Sequence, residues 1–323
     1  MKIFGTAGCS DEDLKILRGE FVKVYDCFTF YNEFELLELR LKALWNVVDY
    51  FVIVEADRTH TNKPKPFYFW ERQDEFKEFF PKIRHLPVEM NVPYSGAGDW
   101  AIEYAQRDAI IYGLEDAAPD DLIFIGDLDE IPAPDIIQRL QANEELFFNF
   151  TVKPPLVKAQ TTYPAKILVP ASEYLEKSFV ALSQNLHQYY FDRMSCEPWL
   201  GTVLTKRKNL TTPQMLRNAR WTAPFILNGG RHSSYMGGTE RVIEKMTSIV
   251  DGNKLVVQSG GKLIDRQHVE KSIANGTDIY NRQGIPSSQF FPFDAKKIKL
   301  PCLNEFLKKY PHFLREPEKY FTN

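Results

Sequence analysis

Residues 121–132 read Asp121-Leu122-Ile123-Phe124-Ile125-Gly126-Asp127-Leu128-Asp129-Glu130-Ile131-Pro132, an apolar run that brings four carboxylates within ten positions. Leu122–Ile125 is bounded on both sides by turn-forming residues and has the length of a strand buried on both faces. Asp127, Asp129 and Glu130 fall where that strand should end, and Pro132 stops it from continuing as an interior strand. Ligands of open α/β sheets bind at the carboxyl ends of the strands, so these carboxylates are expected in the site. Side chains at i and i+2 leave a strand on the same side, where two carboxylates repel each other. A hard divalent cation with oxygen ligands, Mn²⁺ or Mg²⁺, is the natural third partner. The plain structural alternative is a solvated acidic turn.

Upstream, strands and helices alternate. Phe21–Phe30 reads as a strand and Glu33–Val48 as a helix with Leu37, Leu41, Leu44 and Val48 on one face, Arg40 and Lys42 off it. Tyr50–Glu55 is an apolar strand ending in an acid, Glu71–Phe80 a helix, His85–Val92 a short strand and Trp100–Asp116 a clear helix. This alternation predicts an α/β fold with a mostly parallel central sheet flanked by helices. Beyond Pro134 the pattern changes: a helix near Asp135–Asn143, strand-like runs at Leu146–Val152, Lys166–Val169, Leu186–Phe191 and Thr202–Thr205, and helices at Pro213–Arg220, Glu240–Val250, Val269–Ala274 and Leu303–Tyr310. The reading is an N-terminal extension (1–20), a nucleotide-binding half (21–145) and a mixed α+β acceptor-binding half (146–323), in one compact body.

With 323 residues, 44% hydrophobic and 26% charged, the chain has the composition of a globular protein with a substantial core. Forty Lys and Arg against 43 Asp and Glu give a net charge of −3, which argues against a nucleic-acid surface. The 24 Phe, 15 Tyr and 5 Trp are a high aromatic content; core packing must account for most of them, and the rest could line a groove that stacks on sugars or bases. Met1–Cys9 lacks the apolar segment of a secretory signal, and no run approaches the length of a membrane span. Cys9, Cys27, Cys196 and Cys302 are far apart, which argues against zinc knuckles and a disulfide scaffold. Glycosylation-type triplets at Asn149, Asn209 and Asn275 read as chance matches, and a cytoplasmic location is expected.

Four strand-end features converge if the sheet is doubly wound: Phe30-Tyr31-Asn32-Glu33, Glu55-Ala56-Asp57, Gln106-Arg107-Asp108 and the acidic turn itself. Aromatic rings can stack on a base, carboxylates and Asn can hold ribose hydroxyls, and Arg can meet a phosphate. Singly, each has a structural explanation: Arg107 as a solvated helix charge, Glu55 as a strand-end polar residue, Asn32-Glu33 as a helix cap.

The ordered series Tyr25–Glu33, Glu38-Leu39-Arg40, Val54-Glu55, Lys63–Pro66, Trp100, Arg107, Gly126–Pro132 and Gly229–Gly238 resembles glycosyltransferase family 17 over about residues 21–310. The resemblance implies a GT-A-like fold, a nucleotide-sugar donor (UDP-GlcNAc), a carbohydrate acceptor, a divalent metal and inversion at the anomeric carbon. With the strand-end features, the candidates for donor binding are Phe30, Asn32, Glu55, Lys65, Arg107 and Asp127; Arg217 and Arg220 could brace the diphosphate or equally form a solvated helix face. Metal would be held by Asp129 and Asp127, and by a third ligand from the C-terminal half. His232 is the candidate, because it stands in a segment, 229–238, whose four glycines suggest a flexible loop closing over the donor. Inversion needs a base for the acceptor hydroxyl. Glu197 beside Trp199 is the first candidate and Asp192 the second, with an ion pair to Arg193 as the structural reading of Asp192. Two other classes remain: a haloacid-dehalogenase-type phosphatase, which also ends a strand in Asp-x-Asp but near the N-terminus, and a catalytically silent carbohydrate-binding protein.

Overall fold

The computed structural model describes residues 22–149, 167–170, 172–280, 282 and 289–321. The N-terminal extension expected over 1–20 lies outside them, as do 150–152 and Lys166 of two expected strands. Strands β1 (Val24–Phe30), β2 (Tyr50–Ala56), β3 (Ile83–Val88) and β4 (Leu122–Asp127) pair in parallel in the order β3-β2-β1-β4. Their side chains alternate between two buried clusters: Val24, Phe28, Ile53 and Phe124 on one face, and Tyr25, Cys27, Val52, Ile123 and Ile125 on the other. Burial on both faces is why β2 and β4 read as continuous apolar runs rather than alternating ones.

The sheet then turns mixed. With β5 (Glu130–Pro132), β6 (Glu145–Asn149), β7 (Ile167–Pro170), β8 (Phe179–Gln188), β9 (Arg193–Ser195), β10 (Trp199–Lys206), β11 (Phe225–Ser234) and β12 (Phe290–Pro292), the main path is β3-β2-β1-β4-β10-β8-β11-β6-β7, and off it β5 pairs β11, β9 pairs β8 and β12 pairs β9. β10 runs antiparallel to both β4 and β8, and β11 runs parallel to β8. The expectation of a mostly parallel sheet therefore holds for the first half only. The second half adds strands of both directions to the β4 edge of the same sheet, beginning with the antiparallel β10, and the sheet runs unbroken through both halves.

The helices lie close to their expected places, with informative differences. The first covers Phe34–Leu44 and buries Arg40 completely, so Arg40 stands on its core face rather than off it. The expected Trp100–Asp116 helix is α-helical only over Ala101–Asp108 and tightens to a 3₁₀ turn over Ala109–Leu114. The segment expected as a helix over Glu71–Phe80 is mostly a 3₁₀ run, Gln73–Lys82, with Pro81 near its end.

The largest correction concerns 229–238, anticipated as a flexible loop. Residues 225–234 are β11, a ten-residue strand bonded to β8 on one side and to β5 and β6 on the other. Its glycines serve close packing: a Cβ on Gly229 would meet the Leu182 Cβ at 2.7 Å. Gly230 sits at φ +149°, where a Cβ would strike the Ile131 carbonyl oxygen. Only the turn 235–238 escapes the sheet.

His187 on β8 is fully buried, packed beside Phe191 and Phe293, and neither ring nitrogen has a well-formed hydrogen bond. Burial, and then the Arg231 guanidinium, hold its pKa down to about 3. Between that value and about 6.5 the unfolded chain binds a proton that the folded one refuses. Stability should therefore fall as pH drops through this window, by about 1.4 kcal/mol per pH unit from this residue. His187→Leu should flatten that acid limb, measured by urea midpoints at pH 7 and pH 5. A variant that keeps the wild-type slope would place its origin elsewhere.

Candidate active site

The acidic turn after β4 is held from beneath by one side chain. Arg40, on the helix under β1, donates through Nε and Nη2 to Asp26 at 2.8 and 2.6 Å. Its Nη1 donates to three carbonyls of the turn, those of Asp127 (2.8 Å), Leu128 (2.9 Å) and Glu130 (3.0 Å). Both members of the Arg40–Asp26 pair are fully buried. Glu130 points back into the body, accepting two bonds from Arg217 at 2.8 and 3.0 Å, one from Trp199 Nε1 at 2.8 Å and one from the Asp127 amide at 3.1 Å. The Ser233 amide of β11 donates to the Asp129 carbonyl at 2.8 Å. Asp127 and Asp129 are thus presented on a backbone fixed from three sides.

Above the turn lies a cavity of about 590 Å³ at the carboxyl ends of β1 and β4, of a size suited to a small-molecule ligand. Asp127 accepts from Arg107 Nη2 at 2.8 Å and Arg217 Nη2 at 2.9 Å. Burial opposes ionisation of this carboxyl, but Arg217 and Arg107 outweigh it and hold its pKa well below the usual range. Asp129 accepts from Lys245 Nζ at 2.6 Å and faces His232 Nε2 at 3.4 Å. It too is held below the usual range, against burial, chiefly by Lys245. The alternation of charge extends outward: Arg107 also donates to Glu103 at 3.0 Å, and His60 Nδ1 lies 3.3 Å from Glu103. Burial would raise the Glu103 pKa, but Arg107 and His60 bring it down to about 2.

Of the residues anticipated from the sequence, Phe30, Lys65, Arg107, Asp127, Asp129, Arg217 and His232 all line this one cavity. Four others stand elsewhere. Asn32 donates to Glu244 Oε1 at 2.8 Å, beside the cavity rather than in its lining. Glu55 is fully buried and accepts from Lys65 Nζ at 3.3 Å, the Phe69 amide at 3.1 Å and His85 at 3.1 Å, so it positions Lys65 rather than facing a ligand. Asp192 accepts from the Arg315 and Glu316 amides, anchoring the C-terminal segment, and neither it nor Glu197 lines the cavity.

The side chains as placed do not fit a divalent cation. Each oxygen of the Asp127 and Asp129 carboxylates faces a protein nitrogen, and the anticipated trio with His232 is incomplete because Asp127 is engaged by two arginines. Among the described residues no three His, Cys, Asp or Glu side chains converge as a ligand set. A metal here would have to displace Lys245 from Asp129.

Lys245, Glu103 and His60 are site residues that carry no sequence signal, since each lies in a segment without a distinctive motif. Arg40 leaves a trace: Asp26, in the middle of an otherwise apolar strand, requires a buried cation partner.

In comparison with known proteins, the first half of the chain is similar to glycosyltransferases. Residues 8–150 match the model of Glycosyltransferase family 17, so the segment from β1 through the acidic turn to β6 carries that likeness. Over 122 residues the chain is 32% identical to the beta-1,4-mannosyl-glycoprotein 4-beta-N-acetylglucosaminyltransferases of Rattus norvegicus and Homo sapiens, and 31% to that of Mus musculus. Each match takes in 35% of this chain and 22% of the relative, so the chain spans about a fifth of the relatives' length.

Proposed function

We propose that this chain is an inverting glycosyltransferase with a GT-A-like sheet, moving a sugar, GlcNAc by resemblance, from a UDP-sugar to a hydroxyl of a carbohydrate acceptor. The observation that carries the reading is the meeting of the Asp127–Asp129 turn with Arg107, Arg217, Arg220 and Lys245 in one cavity at the carboxyl ends of parallel strands. That placement follows the rule for ligand sites in open α/β sheets. Trp100, Tyr104, Trp199 and Trp221 line the same space and offer flat apolar faces to a base or to pyranose rings.

In the transfer, the bond between the anomeric carbon and the diphosphate oxygen breaks while a bond to the acceptor oxygen forms. The hydroxyl proton passes to a base on the face opposite the departing UDP. Negative charge grows on the diphosphate, and preorganised protein cations lower the barrier by meeting it without reorganisation. Asp127 and Asp129, tied to Arg and Lys, are poor proton acceptors and instead orient those cations. Glu33 and Asp251 are the carboxylates on the cavity lining with no ion pair among the described residues. The Asp251 carboxyl is raised by burial and by Glu103, which favours proton uptake there. No helix among the described residues is long and apolar enough to cross a membrane.

Two measurements test the reading. Thermal shifts with UDP, GDP, CDP and ADP should show the largest stabilisation by UDP, since a pocket shaped to one base edge leaves polar groups unpaired with another. Equal or greater stabilisation by GDP would overturn the uridine preference. UDP release from UDP-GlcNAc should then rise on addition of a mannose-containing oligosaccharide, and its absence with every UDP-sugar tried would overturn the transferase reading.

A further inference from the structure

We propose that Arg220 is the seat of the diphosphate and that the seat needs no metal ion. The proposal deepens the glycosyltransferase reading and rests on it for the identity of the anion. Arg220 stands where the helix Pro213–Ala219 passes into a 3₁₀ turn, and it lines the cavity. Its Nε donates to the Leu200 carbonyl at 2.9 Å and its Nη1 to the Arg217 carbonyl at 2.6 Å. The guanidinium is thereby oriented, with its carbon 4.6 Å from the Trp221 ring centre and 5.7 Å from that of Trp199.

What it lacks is an anion. Every other arginine and lysine on the cavity lining has a carboxylate within ion-pair distance, including its neighbour Arg217 with Asp127 and Glu130, and Lys245 with Asp129. Among the described residues Arg220 has none. The cost is visible in its ionisation: burial, and then repulsion from Arg217, push its pKa down to about 9. A guanidinium that is fixed, partly desolvated and uncompensated beside an open cavity is a preformed anion site, because a bound anion supplies the charge the protein withholds. Its planar fork matches phosphate oxygens. Asp129 cannot recruit a metal to help without releasing Lys245, so the charge balance of the bound diphosphate falls to protein cations.

The test is calorimetric titration in EDTA of UDP, inorganic pyrophosphate and uridine into the wild-type protein, Arg220→Lys and Arg220→Met. UDP should bind the wild type in EDTA, and Arg220→Met should weaken UDP and pyrophosphate by about 10- to 100-fold. Arg220→Lys should recover part of that loss, as a point charge without the fork. Uridine, which carries no phosphate, should bind all three alike and shows that the variants keep the folded cavity. UDP binding that appears only after Mn²⁺ is added, or equal loss of uridine and UDP in Arg220→Met, would overturn the proposal. If pyrophosphate depends on Arg220 while UDP binds no better than pyrophosphate, the seat stands and the uridine-nucleotide reading fails.

Discussion

Arg40→Met should destabilise the protein by about 3–5 kcal/mol, the range typical of removing one partner of a buried ion pair and leaving the other charge uncompensated. The stranded group is Asp26, fully buried in the middle of β1, and three carbonyls of the acidic turn lose their donor at the same stroke. Asp26→Asn should cost less: the amide oxygen keeps one of the two bonds from the guanidinium, and Arg40 keeps its three carbonyl partners. Urea denaturation of both variants reads the difference. A loss below about 1 kcal/mol for Arg40→Met would mean that water or a neighbouring group replaces the clamp.

The second large effect falls on turnover. Asp129→Asn should reduce UDP release from the donor by about 10²–10³-fold, the scale seen when a preorganised charge-stabilising group is removed. The substitution leaves the side-chain shape and the Ser233 amide bond to the backbone intact, so folding should change by about 1–3 kcal/mol at most. What it removes is the anion that fixes Lys245 at 2.6 Å and faces His232. Because Asp129 acts through Lys245, adding Lys245→Met should cost little more, and the two effects should be far from additive. Near-wild-type turnover in Asp129→Asn, or full additivity in the double variant, would remove this pair from the chemistry.

Much of the first half is legible because its strands are buried on both faces, which leaves an unbroken apolar signature with a carboxylate at the end. β2 and β4 are of this kind; the site lies at the end of β4, whereas the carboxylate that ends β2, Glu55, is buried and holds Lys65. β11 is illegible for the opposite reason. Asn228-Gly229-Gly230-Arg231-His232-Ser233-Ser234 has the composition of a loop, and only the crowding of Leu182 and Ile131 against it explains glycine in a strand. The apolar pattern places the start of β8 seven residues late, at Leu186 instead of Phe179, because Ser183, Gln184 and Asn185 interrupt it. The strand also ends sooner than its aromatic run to Phe191 suggests: Tyr189, at φ +68°, breaks it after Gln188. In the site, acidic groups announce themselves through the turn after β4, but the cations that answer them come from segments far apart in sequence. Lys245 reaches Asp129 across 116 positions, a pairing that no local pattern encodes. Glu197 and Asp192 owe their candidacy as bases to the aromatic richness of 187–199, but of those aromatics Phe191 packs against Phe306 and Phe313 in the C-terminal core while Trp199 lines the cavity without bringing either acid into it.

The run of charges from His60 through Glu103, Arg107, Asp127 and Arg217 to Glu130 bears on how such a site can diverge. Each internal member answers two neighbours of opposite sign, so a neutral replacement at one position orphans the charges on either side. Substitutions along this line are therefore tolerated in matched sets rather than one at a time. A descendant that lost Glu103 would carry a compensating change at His60 or Arg107, and linked histories at these six positions would record the constraint more clearly than the invariance of any one of them.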